Sequence, residues 1–153
     1  IKLGLVPYGE IIDTHEYCPT LTFNTIGRHQ SKLVRVRVAS NLSPWFAATK
    51  PGEIYTVPIS HGEGRFYADD GLVEDLAAKG QIATQYVDLA GTPTAEVQFN
   101  PNNSAFAIEG ITSPDGRVFG KMGHSERIGA GLYQNVPGNF DMKLFESAVA
   151  YYK

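Results

Sequence analysis

Residues 33 to 39 alternate strictly between valine and another residue, and this pattern restricts the fold more than any other in the chain. Valine occupies every second position from 34 to 38, and Arg35 and Arg37 lie between the valines. Because successive side chains of a strand point to opposite faces, the pattern predicts a half-buried β-strand with one basic face. The chain therefore contains at least one sheet with a buried and an exposed side.

Shorter apolar runs between turn residues predict further strands. They are expected over residues 21–24, 53–60, 81–88, 94–99, 106–111 and 118–122. Gly27 separates the first run from the 33–39 strand, which predicts that these two strands form a hairpin or another antiparallel pair. Pro58 cannot donate a hydrogen bond to a neighbouring strand, so it is expected either on an edge strand or near the end of its strand.

Capping residues and apolar periodicity predict helices. One is expected to start at Ser43 and Pro44, one to span residues 69–80, and one to run from Asp141 to Tyr152. The opening Ile1–Gly4, followed by Pro7, is typical of the end of a helix. Strands outnumber helices but the pattern is mixed, so the predicted fold class is α/β.

The composition is that of a single globular domain, predicted over residues 1–153. Hydrophobic residues make up 42% of the chain and the net charge is −3, which gives no reason to expect nucleic acid or an anionic membrane as partner. No apolar run approaches the ~20 residues of a membrane helix. Cys18 is the only cysteine, so an internal disulfide is excluded and a reducing, cytoplasmic setting is expected. We predict no metal site.

A histidine and a carboxylate follow the short apolar run at 118–122 directly. Loops at strand ends are where α/β sheets place their chemistry. His124 is therefore a candidate base near neutral pH, and Glu126 is a candidate to hold its ring. Taken alone, a motif this short and common is more often an ordinary surface turn.

The 53–60 strand leads into a second candidate segment, Ser60-His61-Gly62-Glu63-Gly64-Arg65. Its glycines would let backbone N–H groups approach a ligand closely. As a bare motif it is also compatible with any turn.

Three segments then stand in a fixed order: residues 60–65, Asn100-Pro101-Asn102-Asn103-Ser104, and Gly120-Lys121-Met122-Gly123-His124-Ser125-Glu126-Arg127. Together they resemble the class I glutamine amidotransferase domain of phosphoribosylformylglycinamidine synthases, over nearly the whole chain. The resemblance implies a flavodoxin-like mixed sheet with flanking helices.

Two departures from the family pattern stand out. Ser125 replaces the proline of the usual His-Pro-Glu, and the Gly-x-Cys-x-Gly nucleophile turn is absent. Cys18 has bulky neighbours and a following proline, whereas a strained nucleophile turn needs small residues, so Cys18 is predicted not to be the nucleophile. We therefore expect a C-terminal part of the domain, lacking the nucleophile elbow and the N-terminal strands.

The resemblance also implies residue roles. His124 and Glu126 would complete a Cys-His-Glu triad that hydrolyses glutamine, while Ser60, His61, Gly62 and Glu63 would bind that glutamine. The ammonia would pass to a synthetase domain, where ATP and Mg²⁺ drive amidination of formylglycinamide ribonucleotide in purine biosynthesis. The chain itself is expected to bind no cofactor and to be inactive alone.

Two alternatives stay open: a different class I glutamine amidotransferase, and a non-catalytic amidotransferase-like interaction module. We also expect a parallel sheet without its first strands to expose an apolar edge, which predicts self-association.

Overall fold

The computed structural model describes all 153 residues. Seven strands and two helices follow one another in the order β1 (Thr20–Phe23), β2 (Gln30–Val38), β3 (Ile54–His61), β4 (Glu63–Tyr67), α1 (Asp70–Ala78), β5 (Ile82–Tyr86), β6 (Ile108–Thr112), β7 (Phe119–Lys121) and α2 (Leu144–Tyr152). Short 3₁₀ turns cover Pro44–Phe46 and Ala105–Ala107. The predicted α/β class is confirmed.

The main sheet has five strands in the order β3-β2-β5-β6-β7, and β1 pairs with β4 in a separate two-stranded sheet. The predicted pairing of β1 with β2 is therefore wrong. β4 continues almost directly from β3, and this short connection brings β4 beside β1.

All strand pairs are antiparallel. The prediction of self-association assumed a parallel sheet, and that assumption is wrong for this chain. Alternation of side chains does not depend on strand direction, so the sequence pattern could not distinguish the two arrangements.

β2 has the predicted half-buried character. Val34, Val36 and Val38 are at most 4% exposed and belong to the larger of two apolar clusters. Val36 is paired with Tyr55 of β3 on one side and with Tyr86 of β5 on the other. The predicted strand thus lies inside the sheet, with its valines in the core.

Pro58 lies on β3, at the edge of the main sheet, as predicted. Irregular chain covers part of this edge: Thr56 donates its N–H to the Asn139 carbonyl at 2.7 Å, and the Pro58 carbonyl accepts the N–H of His124 at 2.8 Å. The edge of β3 therefore fixes the backbone of a candidate site residue.

The helices agree with the sequence analysis only in part. Asp69 caps α1, its carboxylate accepting the Leu72 N–H at 2.9 Å, as predicted. Residues 1–4 form hydrogen-bonded turns and not a helix end, and residues 94–99 form loop and turn and not a strand. Each helix has nine residues, and neither could span a lipid bilayer.

Candidate active site

His124 and Glu126 meet in the turn that follows β7. Nδ1 of His124 lies 2.7 Å from Oε1 of Glu126. The histidine side chain is 30% exposed and the glutamate 54%, so both reach solvent. A neutral imidazole that donates its Nδ1–H to this carboxylate keeps Nε2 as the basic nitrogen. The structure thus brings together the two residues predicted to be catalytic.

The electrostatics of Glu126 fit this contact. Partial burial raises the pKa of its carboxyl group, but hydrogen bonds from its own backbone N–H and from His124 outweigh burial. The nearby charges of His124 and Arg127 act in the same direction, so the net pKa lies below its ordinary value. Glu126 is therefore ionised at neutral pH.

The loop under His124 is held by a buried carboxylate that the sequence analysis missed. The Glu109 side chain on β6 is fully buried, and Lys121 Nζ lies 3.2 Å from its Oε1. Oε1 also accepts the Gly123 N–H, and Oε2 accepts the Thr84 hydroxyl, both at 2.5 Å. Glu109 thereby joins the inner strand β5 to the loop after β7.

Lys121 continues this network beyond Glu109. Its ammonium group donates to the Gly123 carbonyl at 3.0 Å and to the Ser125 hydroxyl at 2.9 Å. The Ser125 hydroxyl in turn donates to Sδ of Met142 at 3.2 Å. Ser125, which departs from the family pattern, is thus buried and has polar partners. In the sequence, the network is visible only as one charged residue in each of two otherwise uncharged strands: Glu109 in β6 and Lys121 in β7.

The 60–63 segment lies at the end of β3, and its four residues face different partners. Ser60 Oγ lies 3.1 Å from Nε2 of His29, and the Gly62 carbonyl accepts the Asn24 N–H at 3.0 Å. Glu63 is exposed. His61 lies near enough to His124 for the two rings to interact electrostatically.

Both ring nitrogens of His61 are buried and lack a well-formed hydrogen bond. Burial lowers the pKa of its imidazole and the nearby His124 ring lowers it further, while backbone groups of His61 and Met122 and the Glu109 carboxylate oppose this. The net pKa is below its ordinary value, so His61 is neutral at pH 7.

Gly64 makes room for the His61 ring. A Cβ atom at this glycine would lie 2.6 Å from the Asn102 amide nitrogen and 2.8 Å from the ring of His61. Two of the three motifs singled out in the sequence therefore meet here.

A cavity of about 350 Å³ opens beside His124 and Glu126. Its other walls are mainly apolar, with Trp45, Phe119 and Phe145 among them. This size and lining are typical of small-molecule sites. Residues 60–63 do not line this cavity.

Cys18 has a different environment. Its Sγ accepts the His15 N–H at 3.5 Å. Burial raises the pKa of Tyr8. The charge of Asp69 raises this pKa further, as does Cys18, to which Tyr8 is hydrogen-bonded. The thiol thus lies beside Tyr8, and no hydrogen bond joins it to His124.

This pairing of a histidine and a carboxylate on an α/β fold defines a candidate amide-hydrolysing centre. The chain belongs to the family of CobB/CobQ-like glutamine amidotransferase domains, whose model matches residues 1–152.

Individual relatives narrow the comparison. The chain is 36% identical over 124 residues to phosphoribosylformylglycinamidine synthase subunit PurQ of Chlorobaculum tepidum, covering 81% of this chain and 51% of that protein. It is 34% identical over 134 residues to PurQ of Methanocaldococcus jannaschii, covering 88% and 56%. It is 42% identical over 94 residues to PurQ of Thermomicrobium roseum, covering 61% and 39%. The chain thus spans about half the length of the curated relatives it matches.

A solved structure shows the same fold. It is described as the structure of PurLQS from Thermotoga maritima, and it superimposes with a TM-score of 0.65 at 29% identity, covering 89% of this chain and 54% of that one. The resemblance stated from three sequence motifs and the amidotransferase-like fold are both confirmed.

Proposed function

We propose that this chain supplies the histidine and glutamate of a Cys-His-Glu glutaminase centre in a phosphoribosylformylglycinamidine synthase. The supporting observation is the 2.7 Å contact between His124 Nδ1 and Glu126 Oε1 on the rim of a small-molecule-sized cavity. The relatives, which carry the name of that synthase, give the reaction its context.

In this proposal His124 is the general base and acid. Nε2 takes the proton of a cysteine thiol, and the thiolate attacks the side-chain amide carbon of glutamine. His124 then returns the proton to the departing nitrogen, which leaves as ammonia. Nε2 of His124 then deprotonates a water molecule, which attacks the glutamyl thioester. Glutamate leaves, and the proton returns to the sulfur to give the thiol. Glu126 holds the tautomer and stabilises the protonated ring.

The remaining predicted residues bind glutamine in this proposal. The segment Ser60, His61, Gly62 and Glu63 holds the amino and carboxylate end of glutamine. The His61 ring supports such a role, because neither of its buried nitrogens has a well-formed hydrogen bond within the chain.

The nucleophile in this proposal is not Cys18. That thiol lies beside Tyr8 and shares none of the contacts made by His124. The attacking sulfur then comes from a segment that is not among these 153 residues, and the chain alone hydrolyses no glutamine.

The ammonia passes, in the same proposal, to a synthetase partner. There ATP and Mg²⁺ drive amidination of formylglycinamide ribonucleotide, a cytoplasmic step of purine biosynthesis. Support comes from the similarity to PurLQS of Thermotoga maritima. ATP and Mg²⁺ belong to the partner, and glutamine is the substrate of this chain.

A chimera tests the proposal. The N-terminal part of Chlorobaculum tepidum PurQ is fused before Ile1, and ammonia release from glutamine is measured. We expect release by the chimera, none by the 153-residue chain, and full retention in the Cys18→Ser chimera. Hydrolysis by the chain alone, or loss in Cys18→Ser, would refute the proposed nucleophile. A folded but silent chimera would favour a non-catalytic interaction module.

A further inference from the structure

Glu109 and Lys121 form a buried ion pair that the proposed reaction does not use. The Glu109 side chain is fully buried and that of Lys121 is 10% exposed. Replacing a buried ion pair by apolar side chains of similar volume is often neutral or stabilising. Stability alone therefore does not explain why this sheet contains two charges.

Both members of the pair hold the same short loop. Glu109 Oε1 accepts the N–H of Gly123, and Lys121 Nζ donates to the carbonyl of Gly123 and to the hydroxyl of Ser125. Gly123 and Ser125 are the two residues that flank His124. The pair thus fixes the chain on each side of the imidazole.

The pair is itself anchored in the sheet. Thr84, on the inner strand β5, donates its hydroxyl to the second oxygen of Glu109. The backbone carbonyl of Glu109 accepts the N–H of Met122 at 3.0 Å. A continuous set of hydrogen bonds therefore runs from β5 through β6 to the loop.

We propose that Glu109 and Lys121 are positioning residues for His124, holding its ring in contact with Glu126. They act through Gly123 and Ser125, and Lys121 also lines the cavity beside His124. The catalytic consequence rests on the proposed function, since it requires His124 to be the base. Loss of placement by about 1 Å is enough to cost a reaction roughly a hundredfold in rate.

The test compares Lys121→Met with the double variant Glu109→Met/Lys121→Met, both in the 153-residue chain without glutamine. Lys121→Met leaves a buried carboxylate unpaired, so its unfolding temperature should fall. The double variant has no unpaired charge, so its unfolding temperature should recover.

Two further readouts separate positioning from stability in the double variant. The Gly123 amide should exchange its hydrogen roughly tenfold to a hundredfold faster, because a bond to a charged acceptor is gone. The NMR titration midpoint of the Glu126 carboxyl group should move up towards 4.5, because the His124 contact is made less often. Recovery of the unfolding temperature with both readouts unchanged would overturn the proposal.

Ser125→Ala is a milder second variant, in case the double variant does not fold. It removes one hydrogen-bond acceptor of Lys121 and should also raise the titration midpoint of Glu126. An unchanged midpoint in a folded Ser125→Ala protein would count against the proposal. Lys79→Met is the matched control, because Lys79 is 58% exposed and pairs only with Asp75 on the surface. None of these readouts requires glutamine hydrolysis, so they can fail independently of the glutaminase role.

Discussion

At the scale of single residues, His124 is held at three points. Its backbone N–H is bound to the Pro58 carbonyl, its Nδ1 meets Glu126, and its chain neighbours are bound to Glu109 and Lys121. Such preorganisation is what a general base requires, since its efficiency depends on geometry first and pKa second.

The carboxyl group of Glu126 should titrate below its ordinary value of 4.5. A lowered folded-state pKa contributes stability that is fully present above 4.5 and is lost as the pH falls through the lowered value. His124→Ala should raise the midpoint measured by carboxyl-carbon NMR, because the hydrogen bond and the nearby charge are gone. His29→Ala, on the exposed side of Ser60, is the control and should leave the midpoint unchanged. Equal midpoints in wild type and His124→Ala would show that the contact is absent in solution.

His61 gives a second pH-dependent effect. Its folded-state pKa lies below 6.5, so its contribution to stability is complete above 6.5 and is lost as the pH falls towards the lowered value. The free energy of unfolding should fall between about pH 7.5 and about pH 5.5 by more in wild type than in His61→Gln. Chemical denaturation at both pH values measures this, with His15→Gln, an exposed histidine, as control. The same pH dependence in wild type and His61→Gln would contradict the burial argument.

The sequence predicted the candidate pair of His124 and Glu126 but not the residues that support it. His124 and Glu126 lie two positions apart in the chain and follow an apolar run, so local reasoning could pair them. Glu109 lies fourteen positions from its partner Gly123, and Thr84 lies twenty-five from Glu109. Contacts of that range depend on strand order, which no local pattern encodes.

At the scale of elements, the edge strand β3 connects core and site. A short apolar run predicted the strand, and Pro58 predicted a sheet edge or a strand end, because both are local signals. The pairing of β1 with β4 was not predictable, since it depends on how β4 leaves β3. The loop after β7 is the element on which the site depends most.

Gly123→Ala tests how tightly that loop is packed. An added Cβ would lie 2.6 Å from a Val57 methyl group and 2.8 Å from Glu109 Oε1. Overpacking of this kind should destabilise the protein by about 1–3 kcal/mol in chemical denaturation.

Gly129→Ala is the control, because the nearest atom to its Cβ would be 3.7 Å away. Its effect should stay within about 0.5 kcal/mol. Similar stability of both variants would show that the loop adjusts freely, which would weaken the positioning argument.

At the scale of the whole molecule, unpaired strand edges carry exposed apolar side chains. β1 has a partner strand on one side only, and its Leu21 and Phe23 are 39% and 67% exposed. Edge strands of this kind invite pairing with another chain. Self-association therefore stays a prediction. It now rests on the exposed edge of β1, since the chain has no parallel sheet.

Light scattering at rising concentration should therefore detect dimers or larger species. Phe23→Lys should shift the distribution towards monomer, because a charged edge residue disfavours strand pairing. Leu89→Lys is the control: Leu89 is 76% exposed but lies in a turn. A wild-type chain that stays monomeric at high concentration would contradict the prediction.

The proposed function depends on His124 acting as the general base. The most direct test is the rate of ammonia release by the cysteine-containing chimera with and without the His124 imidazole. The account predicts a loss of about 10²–10⁴-fold in kcat for His124→Ala in a folded chimera, with little change for His15→Ala. A His124→Ala chimera that releases ammonia at the parental rate would contradict it.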